Sequence, residues 1–232
     1  MPVVGSGKET VKLDAVKPRA RPGAYENYLA ELIPRKKTVR QDEDMGKFLA
    51  DIAENPFTPV TERYKRLGLS TRKGNQMKEK LISKSMVKEI DINLGRSGGR
   101  RLFLELTDSG TGKLGTTPMK RFGGLEHQFW VNHIKETLES KGHECTAEYP
   151  IGNKRIDLLV DGKTAIEVEM SPRHALENIE KCEGFNLIVL CKDRETLEQI
   201  RKLDKNITLH LIKDFLSDME QNKGRTNTLR VE

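Results

Sequence analysis

The sequence predicts a two-domain α/β protein: a basic, mainly helical N-terminal module followed by a mixed sheet with helices on both faces. Three observations predict it. Residues 123–212 read in the order helix, strand, β-hairpin, helix, strand, helix, strand. Residues 43–112 read as three short helices followed by a two-stranded basic hairpin. Between them, Thr111 to Phe122 is a Gly/Thr/Lys stretch without hydrophobic period, which marks a boundary. The expected organisation is therefore an arm or linker at 1–42, a helical module at 43–112, a linker at 113–122, an α/β domain at 123–220 and a polar tail at 221–232.

Charge follows the same division. Residues 45–125 carry 16 Lys/Arg against 8 acids, whereas residues 126–232 carry 16 against 20. A basic middle beside an acidic C-terminal half suits a nucleic-acid-binding module joined to a cation-binding one. No apolar run approaches the ~18 residues of a membrane span, and no secretory signal is present, so the expectation is a cytoplasmic protein. Three cysteines (Cys145, Cys182, Cys191) without a Cys-x-x-Cys argue against a zinc ribbon or a disulfide framework. His127, His133 and His143 do not have zinc spacing.

Residues 1–40 are rich in Pro, Lys and Arg. Val4 to Thr10 superficially resembles a phosphate loop but places Glu9 where Ser or Thr must follow the Lys, so it is discarded. Tyr25 to Ile33 reads as a short helix stopped by Pro34. From Asp42 a helical period puts Met45, Phe48, Leu49 and Ile52 on one face, ending at Asn55-Pro56. Thr58 with Pro59 opens a second helix with Tyr64 and Leu67 inward. Ser70 caps a third, reaching about Lys84, with Met77 and Leu81 inward and Arg72, Lys73, Asn75, Gln76, Lys78 and Lys80 on the opposite face. A strand over Met86–Ile92, a basic turn containing Arg96, Arg100 and Arg101, and a strand with Leu102, Leu104 and Leu106 complete the module.

Beyond the linker, a helix from Gly124 to about Lys141 carries Phe129, Trp130, Ile134 and Leu138 inward. A strand near Cys145–Tyr149 precedes the hairpin Arg155–Met170. Ser171-Pro172 then opens a helix carrying Ala175, Leu176 and Ile179. Asn186–Cys191 is an apolar strand, Arg194–Leu203 a helix, Ile207–Ile212 a strand and Asp214–Glu220 a last helix. The tail from Gln221 is polar.

The hairpin carries the chemistry. Asp157, Glu167 and Glu169 stand inside strands otherwise made of Ile, Leu and Val, and burying carboxylates without a partner costs several kcal/mol (roughly). A two-residue Asp161-Gly162 turn would mix apolar and charged residues on both faces. A three-residue loop, Asp161-Gly162-Lys163, pairs Val160/Thr164, Leu158/Ile166 and Ile156/Val168 on one apolar face, and Leu159/Ala165 and Asp157/Glu167 on the other, so this register is expected.

Asp157, nine intervening residues, then Glu167-Val168-Glu169 resembles the core motif of the PD-(D/E)XK nuclease superfamily, the restriction-endonuclease-like fold. The resemblance implies Mg²⁺ (or Mn²⁺) bound by Asp157 and Glu167, with Glu126 of the preceding helix as a further acidic residue. The motif's usual Lys is Glu169 here, which leaves the base open; Lys154, Arg155 and Lys181 are the cations placed to replace it. Glu169 would complete a second metal site or assist the water, and His127 either assists or is structural. Residues 43–112 are similar to a winged-helix DNA-binding domain. That likeness implies a third helix in the major groove, through Arg72, Lys73, Asn75, Gln76, Lys78 and Lys80, with Arg96, Arg100 and Arg101 on the backbone or minor groove.

Two functions follow. The first is a Mg²⁺-dependent endonuclease acting on double-stranded or branched DNA; the superfamily resemblance also suggests a homodimer. The second is a non-catalytic DNA-binding protein, a regulator or an accessory to a DNA-translocating ATPase partner. The joined modules are similar to C-terminal regions of archaeal conjugation-type ATPases of mobile elements, which is analogy at the level of fold.

Overall fold

The computed structural model describes residues 36–95, 99–115, 123–203 and 207–221. The phosphate-loop-like segment, the expected helix at 25–33, Arg96 and the tail beyond Gln221 lie outside these residues. The chain divides into two compact units, Met1–Asp44 and Met45–Glu232. Of the first, the described residues are 36–44, the opening of helix α1 (Lys36–Glu54). This helix begins before the expected Asp42, and no Gly or Pro interrupts residues 36–45.

From Met45 onwards the protein is mixed α/β. Helices α2 (Val60–Arg66) and α3 (Thr71–Ser83) follow α1. As the pattern requires, Phe48, Leu49, Ile52, Tyr64, Met77 and Leu81 are buried in one core. Ser70 caps α3 by accepting the Lys73 N–H. Thr58 does not cap α2: its carbonyl accepts from Arg63 and its hydroxyl from Arg66. Arg63 is fully buried and also donates to Asp51 and the Asn55 carbonyl, tying the end of α1 to α2. Gly74 is required because a Cβ there would come 2.6 Å from the Tyr64 ring.

Strands β1 (Val87–Asn93) and β2 (Arg100–Leu106) pair antiparallel, from Val87 with Leu106 to Asn93 with Arg100. Leu104 is buried against the helices, with Leu102 and Leu106 partly buried on the same core. The opposite face is covered as well: Ile92 and Phe103 are fully buried in the core of the following α/β sheet. The Phe103 ring lies 5.0 Å from that of Phe129. The hairpin is thus shared by two cores. After β2, Thr107 caps a short helix α4 (Asp108–Leu114), whose last residues reach into the stretch read as linker. The hydroxyl of Thr107 accepts the Gly110 N–H, which is enough to nucleate one turn.

The α/β portion begins with helix α5 (Leu125–Glu139). Strands β3 (Cys145–Ile151), β4 (Lys154–Val160), β5 (Thr164–Glu169), β6 (Asn186–Cys191) and β7 (Thr208–Leu211) form one sheet in that order. β3, β4 and β5 are antiparallel; β5, β6 and β7 are parallel. Helix α6 (Ala175–Lys181) and helix α7 (Arg194–Arg201) connect the parallel strands, and α8 (Ile212–Gln221) closes the fold. Trp130, Ile134 and Leu138 of α5 and Phe215 of α8 pack on Leu158, Ile166, Val168, Ile188 and Leu190. Ala175, Leu197 and Ile200 pack with Val189 and Cys191, the alternate residues of the sheet. Leu176 is 49% exposed. A 3₁₀ turn at Pro172–His174 precedes α6, and Ala175 and Ile179, four apart, take the inward face. Among the described residues, no helix is long and apolar enough to cross a membrane.

Because Phe103 fills the second core rather than the first, Phe103→Ala is expected to cost about 3–5 kcal/mol. Urea unfolding at equilibrium measures this; a loss below about 1 kcal/mol would contradict burial of the hairpin between the two cores.

Candidate active site

The expected three-residue loop is present: Val160, Leu159 and Leu158 pair with Thr164, Ala165 and Ile166. Asp161 (φ +50) and Gly162 (φ +66) take the left-handed turn. Pairing then stops. The Asp157 carboxylate accepts the Val168 N–H at 2.8 Å, in place of a carbonyl of β4. Across β3, the ladder skips Glu148 and Asp157, and Glu148 has φ +54. The side chains change faces at this step. Ala147 and Leu158 belong to the core under α5, whereas Tyr149 and Ile156 join Ala165 and Cys182 on the other side. Ile156 therefore does not share a face with Val168, as uninterrupted alternation required.

The carboxylates gather where β4 and β5 part. Glu167 is fully buried, and its Oε1 lies 3.4 Å from the Asp157 N–H. Lys181 Nζ sits 2.9 Å from Glu167 Oε2, and the Cys182 thiol donates to Oε1 at 3.4 Å. Glu169 is buried and accepts from Asn178 Nδ2 at 2.7 Å, while Asn178 Oδ1 accepts from Lys181 Nζ at 3.0 Å. From α5, His127 Nε2–H donates to Asp157 Oδ2 at 3.0 Å. Gly123 (φ +78) makes room for that ring, since a Cβ there would stand 2.6 Å from His127 Nδ1.

Electrostatics follow from this crowding. Burial and the Asp157 charge push the Glu167 carboxyl up to about 8, against the Lys181 ammonium and the Cys182 thiol. Burial also raises Glu169, with Asp157 adding to the rise and the Asn178 hydrogen bond opposing it. Glu148 is raised by burial and then by Asp157. Burial lowers the His127 pKa, but the hydrogen bond and charge of Asp157, with Glu148 and Glu167 behind them, make the net shift upward. Three carboxyl groups raised first by burial, and further by the Asp157 charge, would each be relieved by added positive charge.

Glu126 is placed differently from the expectation. Its carboxylate pairs with Lys192 at 2.8 Å rather than joining Asp157 and Glu167. Successive helical residues point about 100° apart, so with His127 turned to Asp157, Glu126 faces the end of β6. Of the three candidate cations, Lys181 meets Glu167 at 2.9 Å, and the charge of Arg155 acts on Glu148. His127 is the residue of the Glu126-His127 pair that touches Asp157. Asn178, Cys182 and Glu148 are not singled out by the sequence pattern. The spacing of Asn178, Lys181 and Cys182, three and four apart on one helical face, was the available signal for the first two; Glu148 had none.

On the helical module, Arg72, Lys73, Asn75, Gln76 and Lys80 are exposed, as are Arg100 and Arg101. Lys78 pairs with Glu89, Arg100 with Asp91 at 3.1 Å, and Asn75 accepts from the Tyr64 hydroxyl at 3.0 Å. Thr61, Thr71, Asn75, Lys78, Arg100 and Arg101 line a groove of about 430 Å³. The structure thus brings four of the expected nucleic-acid contacts onto one groove, between the starts of α2 and α3 and the start of β2.

Among the described residues, no three His, Cys, Asp or Glu side chains gather to enclose a metal ion. The donor set nonetheless suits Mg²⁺, which commonly takes one or two carboxylates, with water and substrate phosphate oxygens completing its shell. Compared with known proteins, the chain matches no family model and no curated protein.

Between the ordinary carboxylate range and about pH 8, the folded protein keeps a proton on Glu167 that the unfolded chain has released. Stability is expected to fall as pH rises through that window, and Glu167→Gln should flatten the dependence. Melting temperatures from pH 5 to 8 check this; a melting temperature that rises over the same interval in the wild type alone would contradict it.

Proposed function

We propose that this protein is a Mg²⁺-dependent DNA endonuclease with a restriction-endonuclease-like catalytic domain of the PD-(D/E)XK kind and a winged-helix-like reader at residues 43–112. The observation that carries this reading is the convergence of Asp157, Glu167 and Glu169, from two adjacent strands, with Lys181 of the next helix. Burial and the Asp157 charge keep Glu167 and Glu169 raised despite the Lys181 ammonium. Asp157 and Glu167 are the residues that would hold the cation. Mg²⁺ supplies Lewis acidity and a more acidic bound water when present. The chain's own contribution is then orientation and charge. His127 and the Val168 amide fix the Asp157 carboxylate. Lys181 replaces the motif Lys from a different element, stabilising negative charge beside Glu167. The groove lined by Lys78, Arg100 and Arg101 contacts phosphates and positions the duplex.

One observation favours a second reading, a DNA-binding protein that does not cut. Glu167 is buried and already faces Lys181, so its charge is balanced without a cation. Supercoiled plasmid and branched DNA incubated with Mg²⁺, Mn²⁺ or EDTA separate the two. The nuclease reading expects metal-dependent cleavage that falls by at least ~100-fold in Asp157→Ala and Glu167→Ala, with DNA retention unchanged. Retention without cleavage in either metal selects the second reading. Arg101→Ala is expected to weaken binding similarly on unrelated sequences and to reduce the salt dependence by about one counterion. Sequence-dependent loss in a filter-binding titration would contradict phosphate contact.

A further inference from the structure

We propose that Asn178 is a positioning residue that assigns Lys181 to Glu167 and keeps it from collapsing onto Glu169; its catalytic meaning rests on the nuclease reading. Asn178, Lys181 and Cys182 lie three and four residues apart, so all three side chains project towards β5 from one face of α6. The two ends of the Asn178 amide do different work. Its Nδ2 donates to Glu169 Oε1 at 2.7 Å, and its Oδ1 accepts from Lys181 Nζ at 3.0 Å. A flipped amide would set an oxygen against a carboxylate and an NH₂ against an ammonium, so one orientation is selected.

The consequence is a fixed order of charges. Lys181 stands 2.9 Å from Glu167 with its side chain only 8% exposed, so water does little to hold the ammonium. Glu169 is buried on the same strand face, two residues along β5. Without the amide between them, Glu169 loses its hydrogen-bond donor and attracts Lys181, which leaves Glu167 unpaired. A neutral residue with a donor on one side and an acceptor on the other prevents this, and Asn is the shortest side chain that offers them on separate atoms. Cys182 completes the hold on Glu167 from the next helical position.

Lysine-ammonium ¹⁵N–¹H correlation spectra of the full chain, with Lys181→Arg assigning the signal, read the positioning directly, and plasmid cleavage reads its effect. The wild type is expected to show a Lys181 ammonium peak protected from water. Asn178→Ala should lose it, and Asn178→Asp, which keeps an oxygen facing Lys181, should retain it. Cleavage by Asn178→Ala should drop ~10- to 100-fold in kcat with KM for DNA unchanged. A protected peak that persists in Asn178→Ala overturns the inference. So does loss of the peak with kcat within about twofold of wild type, the size expected when nothing at the reacting centre has changed. A wild type that binds DNA without cutting it removes the nuclease reading alone; the peak's loss in Asn178→Ala and survival in Asn178→Asp then still support the placement of Lys181. If Asn178→Ala fails to fold, a peak absent from Asn178→Asp overturns the inference by itself.

Discussion

The site depends on one hydrogen bond, from the Val168 N–H to the Asp157 carboxylate. A backbone amide inside a sheet has to find an acceptor, and regular antiparallel pairing would supply a carbonyl. Here a side chain supplies it instead, so β4 and β5 part after Leu158 and Ile166 while β5 keeps its parallel partner β6 through Glu169. The parting gives Asp157 a place inside the sheet and puts Glu167 beside its amide. It also lets β3 and β4 exchange faces, with Glu148 in a left-handed conformation that costs a non-glycine residue ~1–2 kcal/mol. Such strain persists where surrounding structure holds it, and here the cores on the two faces of the sheet do so.

Desolvation and compensation compete among the gathered acids. Asp157, Glu167 and Glu169 lie on two neighbouring strands, and the latter two are buried. Removing water from a carboxylate favours its protonated form, and a neighbouring carboxylate favours it further. Lys181, Asn178, Cys182 and His127 offset part of this through one helix on each side of the sheet. At Glu167 burial still outweighs this compensation, and its carboxyl stays raised. A cation bound beside Asp157 and Glu167, as the proposed function requires, would offset that burial cost.

Much of the fold was legible because local signals agreed. The helical faces of α1 and α3, the Ser70 cap, the β6 limits and the three-residue hairpin loop each follow from periodicity or turn chemistry. The hairpin register exposed the pair Asp157/Glu167, and therefore the site. The illegible features came from contacts distant in sequence. Phe103 alternates with Leu102 and Leu104, and nothing local says that a second core covers its side of the strand. Glu126 and His127 are adjacent, and only the phase of α5 against the sheet decides which one meets Asp157. The face change at Ile156 required a side chain to stand in for a carbonyl, which period-2 reasoning cannot anticipate.

Sharing of the β1–β2 hairpin by two cores has a functional side. Ile92 and Phe103 bury their side chains with Trp130 and Ile134 of α5, the helix that also delivers His127. A groove bearing Arg100 and Arg101 at the end of that hairpin is therefore built on the same packing as the carboxylate site. The central claim is that Asp157 and Glu167 form the oxygen side of a cation site. Anomalous diffraction from crystals soaked in Mn²⁺ tests it most directly. The account predicts a peak between the Asp157 and Glu167 carboxylates, with Lys181 remaining within reach of Asn178. The absence of a peak in crystals that hold Mn²⁺ elsewhere, with Lys181 still paired to Glu167, would contradict it.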